Sequence, residues 1–311
     1  MLGKTARLNI SWLVGLTLLL SLSACSIVTT ADVTLVISDS TLVPTMTSES
    51  PPLPTHTPRT TAEPQVSSPT PEGLDCVEIS GSIEAYQISR GGLEISGRVY
   101  TPPCYEFDTD RGYPTLYLLH GATENDQQWV DLGIADRADQ LISESAIPPL
   151  IIVMPLELTW VSLPENPFGD YLVTELLPWI EKEYRTLADR DYRAIGGLSR
   201  GGNWSLRIGL LHWGMFGSIG AHSTPLFYGD LDRIPGWIEV IPHSRMPRIY
   251  LDIGEGDNNL EAVKNLEKVL NKLEVTHDWN VYPGLHEDLY WKAHLGEYLL
   301  WYSLGWDNLL K

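Results

Sequence analysis

The sequence predicts an α/β fold in which a mostly parallel central sheet is covered by helices on both faces. Nearly continuous apolar runs at 113–119, 150–154 and 248–253 are typical of strands buried on both sides. Segments with apolar residues at helical spacing alternate with these runs, which is the pattern of a parallel sheet. A third observation is a glycine-flanked serine at 199, placed where a short strand gives way to a helix.

The first elements are predicted to be antiparallel strands joined by turns, and the later ones to alternate. Pro178 lies inside one predicted helix and is expected to kink it or relax it locally, because proline cannot donate the backbone hydrogen bond of a helix interior. In chain order the expected strands are 76–80, 82–87, 93–100, 113–119, 150–154, 192–196, 216–221, 248–253 and 278–282. The expected helices are 171–184, the segment after Ser199, 261–273 and 289–304.

The N-terminus is predicted to be an export signal that covers residues 1–24. Lys4 and Arg7 precede a short apolar run, and small residues then precede Cys25. This ending resembles the processing box of a bacterial lipoprotein, which implies lipidation of Cys25 and anchoring in an envelope or cell-surface membrane. The alternative is an ordinary secretory signal cleaved near Ala24. Both interpretations predict an exported protein.

Residues 25–74 are predicted to be a disordered tether. They are rich in Thr, Pro and Ser and lack sustained helical or strand periodicity, so they cannot bury enough apolar surface to offset chain entropy. Residues 75–311 then have the length of one α/β domain. The sequence therefore predicts a signal peptide, a tether and a single domain.

The charge balance is strongly acidic, with 21 Lys and Arg against 40 Asp and Glu and a formal net charge of −19. Such a balance argues against nucleic acid as a partner, since phosphate backbones select basic surfaces. It argues equally against electrostatic docking on anionic lipid.

Three cysteines fit the prediction of export. If Cys25 is lipidated, Cys76 and Cys104 remain as an even pair in an oxidising compartment, and we expect a disulfide between them. Two separate thiols are the alternative.

The glycine-flanked serine is predicted to be a nucleophile. In Gly197-Leu198-Ser199-Arg200-Gly201 the serine lies between a strand and a helix start, where a tight turn lifts its hydroxyl clear of the sheet. Glycines two residues to either side remove side chains that would clash in that turn. The alternative is a glycine-rich loop with a solvated serine.

A serine hydroxyl needs a base and a group that orients the base. In enzymes that present a serine on such a turn, the acid and then the histidine follow it in the chain. His286 follows the last strand and Asp257 follows the strand before it, so both are expected at the carboxyl edge of the sheet. Glu255 is the fallback acid, and a helix-capping role is the alternative for Asp257.

The oxyanion of a tetrahedral intermediate needs backbone N–H donors. The residue after the nucleophile, Arg200, is expected to supply one from the start of its helix. The loop after the strand 113–119 reads His120-Gly121-Ala122, and the Ala122 N–H is the second candidate. An ordinary strand-to-loop turn is the alternative for this loop.

Several segments spread over most of the domain carry a resemblance to a known family. They are Leu116–Gly121 with Trp129, Glu175–Glu181 with Tyr184 and Arg185, Arg193–Ser199, Phe216–Gly220, Gly254 with Asp257, and Gly284 and His286 with Trp291. On these segments the domain resembles the esterase D-type putative esterase family, α/β-hydrolases that include feruloyl esterases, S-formylglutathione hydrolases and mycolyltransferases. One departure is Arg200, since many relatives carry a smaller or apolar residue there; its side chain could line the pocket.

The resemblance implies an α/β-hydrolase fold and a serine carboxylic-ester hydrolase with Ser199, Asp257 and His286 as its triad. It implies feruloyl or acetyl esters of polysaccharide, or other small acyl esters, as substrates. Acyl transfer of the mycolyltransferase type and a non-catalytic surface binding lipoprotein are the alternatives. No cofactor is expected, and no metal, because the zinc-protease spacing after His286 would require a histidine where Tyr290 stands.

Aromatic side chains are candidates for substrate contact. Trp129 follows the predicted oxyanion loop, Trp160 lies in the loop after 150–154, and Trp237 lies in the long connection after 216–221. Aromatic rings at these loops would suit a sugar or an aryl group. The alternative is that most tryptophans of the domain belong to its core.

Overall fold

The computed structural model describes Cys76 and residues 79–90, 93–158 and 166–310. The predicted signal peptide and the whole predicted tether, which includes Cys25, lie outside the described residues. Within the described residues no helix is long and apolar enough to cross a membrane.

Eight strands form one mixed sheet in the order β1-β2-β4-β3-β5-β6-β7-β8. The first two strands pair antiparallel, β2 pairs antiparallel with β4, and all later neighbours are parallel. The predicted mostly parallel sheet is therefore confirmed. The strands are β1 (Ser82–Arg90), β2 (Leu93–Thr101), β3 (Thr115–Leu119), β4 (Ile151–Pro155), β5 (Arg193–Leu198), β6 (Ser218–His222), β7 (Arg248–Gly254) and β8 (Asp278–Tyr282).

Helices cover both faces of the sheet. One apolar cluster joins one face to helices α3 to α7, and a second joins the other face to α1, α2 and α8. The helices are α1 (Gln128–Leu132), α2 (Ile134–Ser143), α3 (Phe168–Tyr171), α4 (Leu177–Glu183), α5 (Arg200–Leu211), α6 (Asp230–Glu239), α7 (Leu260–Lys272) and α8 (Asp288–Ser303). Sequence periodicity did not predict α1, α2 or α6. Gly133, with φ 94°, separates α1 from α2.

The helix predicted at 171–184 is divided in the structure. A π-helical stretch, Leu172–Leu176, joins α3 to α4, and Pro178 lies in the first turn of α4. A proline in mid-helix removes one hydrogen bond and clashes with the preceding turn, and the wider π turns accommodate both effects. The effect expected of Pro178 is therefore seen as a change from α-helix to π-helix just before it.

The first predicted strand, 76–80, is wrong. Cys76 lies in a turn, and Ile79 and Ser80 are irregular, so the sheet begins at Ser82. The expected disulfide is present: Cys76 and Cys104 are bonded, with their Cα atoms 5.5 Å apart. Since Ser82 pairs with Thr101, this bond closes the open end of the β1–β2 hairpin.

Candidate active site

Ser199 stands on a strained turn between β5 and α5. Its φ of 52° and ψ of −121° lie outside the regions that L-residues favour. A Cβ on Gly197 would lie 2.5 Å from the carbonyl carbon of Gly201, and a Cβ on Gly201 would lie 2.2 Å from the carbonyl oxygen of Leu119. Both glycines are therefore required by close backbone approach, as the sequence predicted.

The three predicted triad residues form one hydrogen-bonded chain. His286 Nε2 lies 2.9 Å from Ser199 Oγ, and His286 Nδ1 lies 2.7 Å from Asp257 Oδ2. The residues follow β5, β7 and β8, so parallel strand ends bring together groups that are far apart in sequence. The Asp257 side chain is fully buried, whereas that of His286 is 28% exposed, so the histidine is accessible from solvent.

Asp257 is held as a carboxylate by its hydrogen bonds. Burial alone would raise its pKa, but the hydrogen bonds from His286 and from the Asn259 backbone N–H outweigh burial, and the pKa lies below the usual value. The Asn259 N–H donates to Oδ1 at 2.7 Å, which leaves Oδ2 for the imidazole. A carboxylate can only accept, so His286 Nδ1 carries the proton and Nε2 is free to accept the proton of the serine.

The two predicted oxyanion donors lie on either side of the serine. Arg200 is the first residue of α5, where the backbone N–H has no partner within the helix. The loop after β3 approaches from the other side, since a Cβ on Gly121 would be 3.7 Å from Ser199 Cβ. Ala122, the next residue of that loop, is exposed. Both donors therefore come from segments that border the hydroxyl.

The side chain of Arg200 does not extend freely into the site. Its guanidinium binds Glu157 through two hydrogen bonds, Nε to Oε2 at 2.7 Å and Nη2 to Oε1 at 2.8 Å. Sequence reasoning missed Glu157. The signal that could have found it is its position just after β4, at the same carboxyl edge as the triad.

The predictions for the three tryptophans have different outcomes. Trp129 is 1% exposed and its indole N–H donates to the Leu119 carbonyl at 3.1 Å, so the structure corrects this prediction and assigns Trp129 to the core. Trp160 lies outside the described residues. Trp237 lies on α6, packed against the core with the guanidinium of Arg207 5.6 Å from its ring centre, and its contact with substrate stays a prediction.

A second histidine–aspartate pair lies in the interior of the sheet. His222 Nδ1 is 2.6 Å from Asp252 Oδ1, and His222 Nε2 is 3.1 Å from the hydroxyl of Tyr302. The other oxygen of Asp252 accepts from Tyr290 and Tyr298, each at 2.8 Å. Both His222 and Asp252 are fully buried. Neither residue is among the functional residues that the sequence predicts.

A separate concave volume lies away from the triad. A groove of about 920 Å³ is lined by α6, the start of β7 and the residues just before β8, at the amino edge of these strands. It contains none of the triad. Within the described residues no group of three or more His, Cys, Asp or Glu side chains is arranged to hold a metal ion.

Comparison with known proteins identifies the family. The family model described as Putative esterase matches residues 89–302. An esterase of Mycobacterium tuberculosis (strain H37Rv) is 35% identical over 181 residues, which are 55% of this chain and 37% of that protein. An endo-1,4-beta-xylanase/feruloyl esterase of Xylanibacter ruminicola is 32% identical over 193 residues, 59% of this chain and 25% of that protein. The matched part of the chain thus spans only 37% and 25% of the length of these two curated relatives.

Solved structures share the fold. A ferulic acid esterase superposes with a TM-score of 0.66 at 24% identity, covering 73% of this chain and 99% of that one. An S-formylglutathione hydrolase of Staphylococcus aureus gives 0.57 at 16% identity, covering 72% and 99%. The expected α/β-hydrolase fold is therefore confirmed, and the chain belongs to the Putative esterase family.

Proposed function

We propose that the chain is a serine carboxylic-ester hydrolase that works through an acyl-enzyme on Ser199. The observation that carries this proposal is the hydrogen-bonded chain from Ser199 through His286 to Asp257, at 2.9 and 2.7 Å. A binding protein would have no need of a strained serine, a base and a buried acid in this order. Membership in an esterase family supports the same reaction class.

The reaction begins with proton transfer from the Ser199 hydroxyl to His286 Nε2 as Oγ attacks the ester carbonyl carbon. The carbonyl oxygen becomes an oxyanion that accepts from the N–H groups of Arg200 and Ala122. Collapse of this intermediate breaks the bond to the alcohol, which takes the proton from His286. Water then attacks the acyl-enzyme by the same steps and releases the acid, while Asp257 stabilises the imidazolium each time it forms.

Feruloyl or acetyl esters of polysaccharides are the proposed substrates. The support for feruloyl esters is that the Xylanibacter relative is an endo-1,4-beta-xylanase/feruloyl esterase and that a ferulic acid esterase has the same fold. Fold and family support the reaction class more strongly than the substrate, because one scaffold carries many acyl specificities. A panel of feruloyl, acetyl and longer acyl esters is the direct way to rank them.

We also propose that the protein is exported and anchored by lipid on Cys25. The support is the sequence alone: a short apolar run preceded by Lys4 and Arg7 and followed by small residues. Incorporation of a labelled fatty acid into the wild type but not into Cys25→Ala is the expected result. Equal labelling of both proteins would contradict it.

The test of the reaction uses the wild type beside Ser199→Ala. We expect the wild type to react with a fluorophosphonate probe and to hydrolyse a short-chain nitrophenyl ester, and we expect both properties to disappear in the variant. A folded wild type that shows neither would leave the non-catalytic binding protein as the better interpretation. Hydrolysis that persists in the variant would exclude Ser199 as the nucleophile.

A further inference from the structure

We infer that Glu157 is a positioning residue that holds both oxyanion donors in register through its ion pair with Arg200. This inference rests on the proposed function. It adds a residue outside the triad and gives a role to the side chain of Arg200. The residues involved are contributed by three neighbouring strand ends rather than by one loop.

The order of the strands places the Glu157–Arg200 ion pair next to the loop that carries Ala122. Strand β3 lies between β4 and β5, so Glu157, after β4, and Arg200, after β5, stand on either side of the end of β3. The ion pair therefore bridges the β3 strand end, from which the loop carrying Ala122 departs. One proposed oxyanion donor is the backbone N–H of Arg200 itself. The other, the N–H of Ala122, belongs to the loop that the ion pair flanks.

The backbone of Glu157 also holds that loop. Its N–H donates to His120 Nε2 at 2.9 Å, and His120 Nδ1 lies 2.8 Å from the Gly121 carbonyl oxygen. Since Nε2 accepts, Nδ1 carries the proton and donates to Gly121. The Gly121 N–H in turn donates to Gln128 Oε1 at 2.8 Å. A continuous path of hydrogen bonds thus leads from Glu157 to the residue that precedes Ala122.

The pair is built as a rigid element. The Glu157 side chain is 2% exposed and that of Arg200 is 17% exposed, so solvent screens their attraction weakly. Asn166 Nδ2 donates to Glu157 Oε1 at 2.6 Å, and the guanidinium of Arg200 lies 5.3 Å from the ring centre of Phe227. A bidentate pair fixes orientation as well as distance, which is the property that an oxyanion site requires.

Glu157→Gln is the main test, because it removes the charge and half of the bidentate contact while keeping the side-chain volume. We expect kcat for a nitrophenyl ester to fall about 10- to 100-fold, less than the loss of a whole oxyanion donor, while KM changes less than about threefold. Affinity for a trifluoromethyl ketone, which forms an oxyanion on the serine, should fall by the same factor as kcat/KM.

Asp230→Asn is the matched control. Asp230 is 1% exposed and pairs with Arg207, which lies two turns further along the same helix as Arg200. The variant removes a buried carboxylate charge of the same kind at a site away from the oxyanion donors. We expect it to lower thermal stability but to leave kcat, KM and ketone affinity within about twofold of the wild type.

Arg200→Lys is a second variant that tests the same inference if Glu157→Gln does not fold. It keeps the charge and the backbone N–H but loses the two-pronged contact, so an intermediate loss of kcat is expected. A folded Glu157→Gln, or Arg200→Lys in its place, with wild-type kcat and ketone affinity would overturn this inference and leave the proposed function intact. An equal loss of kcat in Asp230→Asn would also overturn it. An inert wild type would overturn both proposals.

Discussion

Two histidine–aspartate pairs occupy neighbouring positions in this molecule and differ chiefly in their access to solvent. In the first, His286 joins Asp257 to Ser199, and in the second, His222 joins Asp252 to Tyr302. The histidine–carboxylate distances are 2.7 and 2.6 Å. The first pair lies in loops beyond the strand ends, whereas the second lies within β6 and β7 and is fully buried.

The same three-group arrangement lies at the strand ends, where we propose that it catalyses ester hydrolysis, and inside the sheet, where it serves packing. At the strand ends, loops can leave room for a substrate beside the serine. Inside the sheet, the third group is a tyrosine whose hydroxyl lies against Gly196 and Gly220; a Cβ on either glycine would be 1.8 Å from it. No substrate reaches such a site. Its hydrogen bonds satisfy buried polar groups that would otherwise destabilise the core.

The largest effect expected is on activity, from His286→Ala. Loss of the base should reduce kcat by about 10⁴-fold or more, because the serine then lacks a proton acceptor. Thermal stability should fall less than in a variant of the inner pair, because solvent reaches His286 and Asp257 keeps its hydrogen bond from the Asn259 N–H. Steady-state kinetics and calorimetry on the same preparation would measure both quantities. Residual activity within tenfold of the wild type would contradict the role of His286 as the base.

His222→Ala should show the reverse pattern. Removing the imidazole leaves the carboxylate of Asp252 buried with only two tyrosine hydroxyls, and breaking a buried pair costs roughly 3–5 kcal/mol of the free energy of unfolding. The kcat of the folded protein should remain within about threefold, since the hydrogen bond between Ser199 and His222 uses the backbone carbonyl of His222, which the variant keeps. Denaturant unfolding would measure the cost. A large loss of kcat at full folding would make the inner pair part of the catalytic apparatus.

Tyr302→Phe should have a smaller effect. The variant removes one hydroxyl and leaves His222 Nε2 without its partner at 3.1 Å, which costs about 1 kcal/mol of the free energy of unfolding. The variant introduces no steric clash, because the phenyl ring of Phe fits where the Tyr302 ring lies, beside Gly196 and Gly220. The midpoint of denaturant unfolding would measure the change, with Ser303→Ala as a neighbouring hydroxyl deletion for comparison. An unchanged midpoint would show that the inner network contributes nothing through this hydroxyl.

The smallest effect expected is a dependence of stability on pH that belongs to the outer pair. The pKa of Asp257 is lowered in the folded protein by hydrogen bonds that exceed the effect of burial. Its contribution to stability is therefore fully present above the ordinary pKa of 3.8 and is lost as pH falls through the lower folded value. Asp257→Asn lacks this contribution, so its melting temperature should approach that of the wild type as pH falls below about 4. A difference in melting temperature between the two proteins that stays constant with pH would contradict the lowered pKa of Asp257.

Local signals in the sequence made the proposed nucleophile and its proposed partners predictable. Gly197, Ser199 and Gly201 act within one turn, and the triad follows from strand ends that the apolar runs reveal. The sequence could have placed Glu157 at the carboxyl edge, but not in contact with Arg200, because that contact depends on β4 and β5 flanking β3, an order that the sequence does not state. Tertiary packing likewise decided Trp129, which belongs to the core cluster formed with α1, α2 and α8.

The disulfide between Cys76 and Cys104 gives this domain a path for mechanical load. Strand β1 is an edge strand, and a pull on its first residue would separate its pairs with β2 one after another from Ser82 onward. Because Cys76 is bonded to Cys104, just beyond the end of β2, tension on any chain that precedes Cys76 passes through a covalent bond into the segment after β2. The edge of the sheet is thereby relieved of force applied at the N-terminal side of the domain.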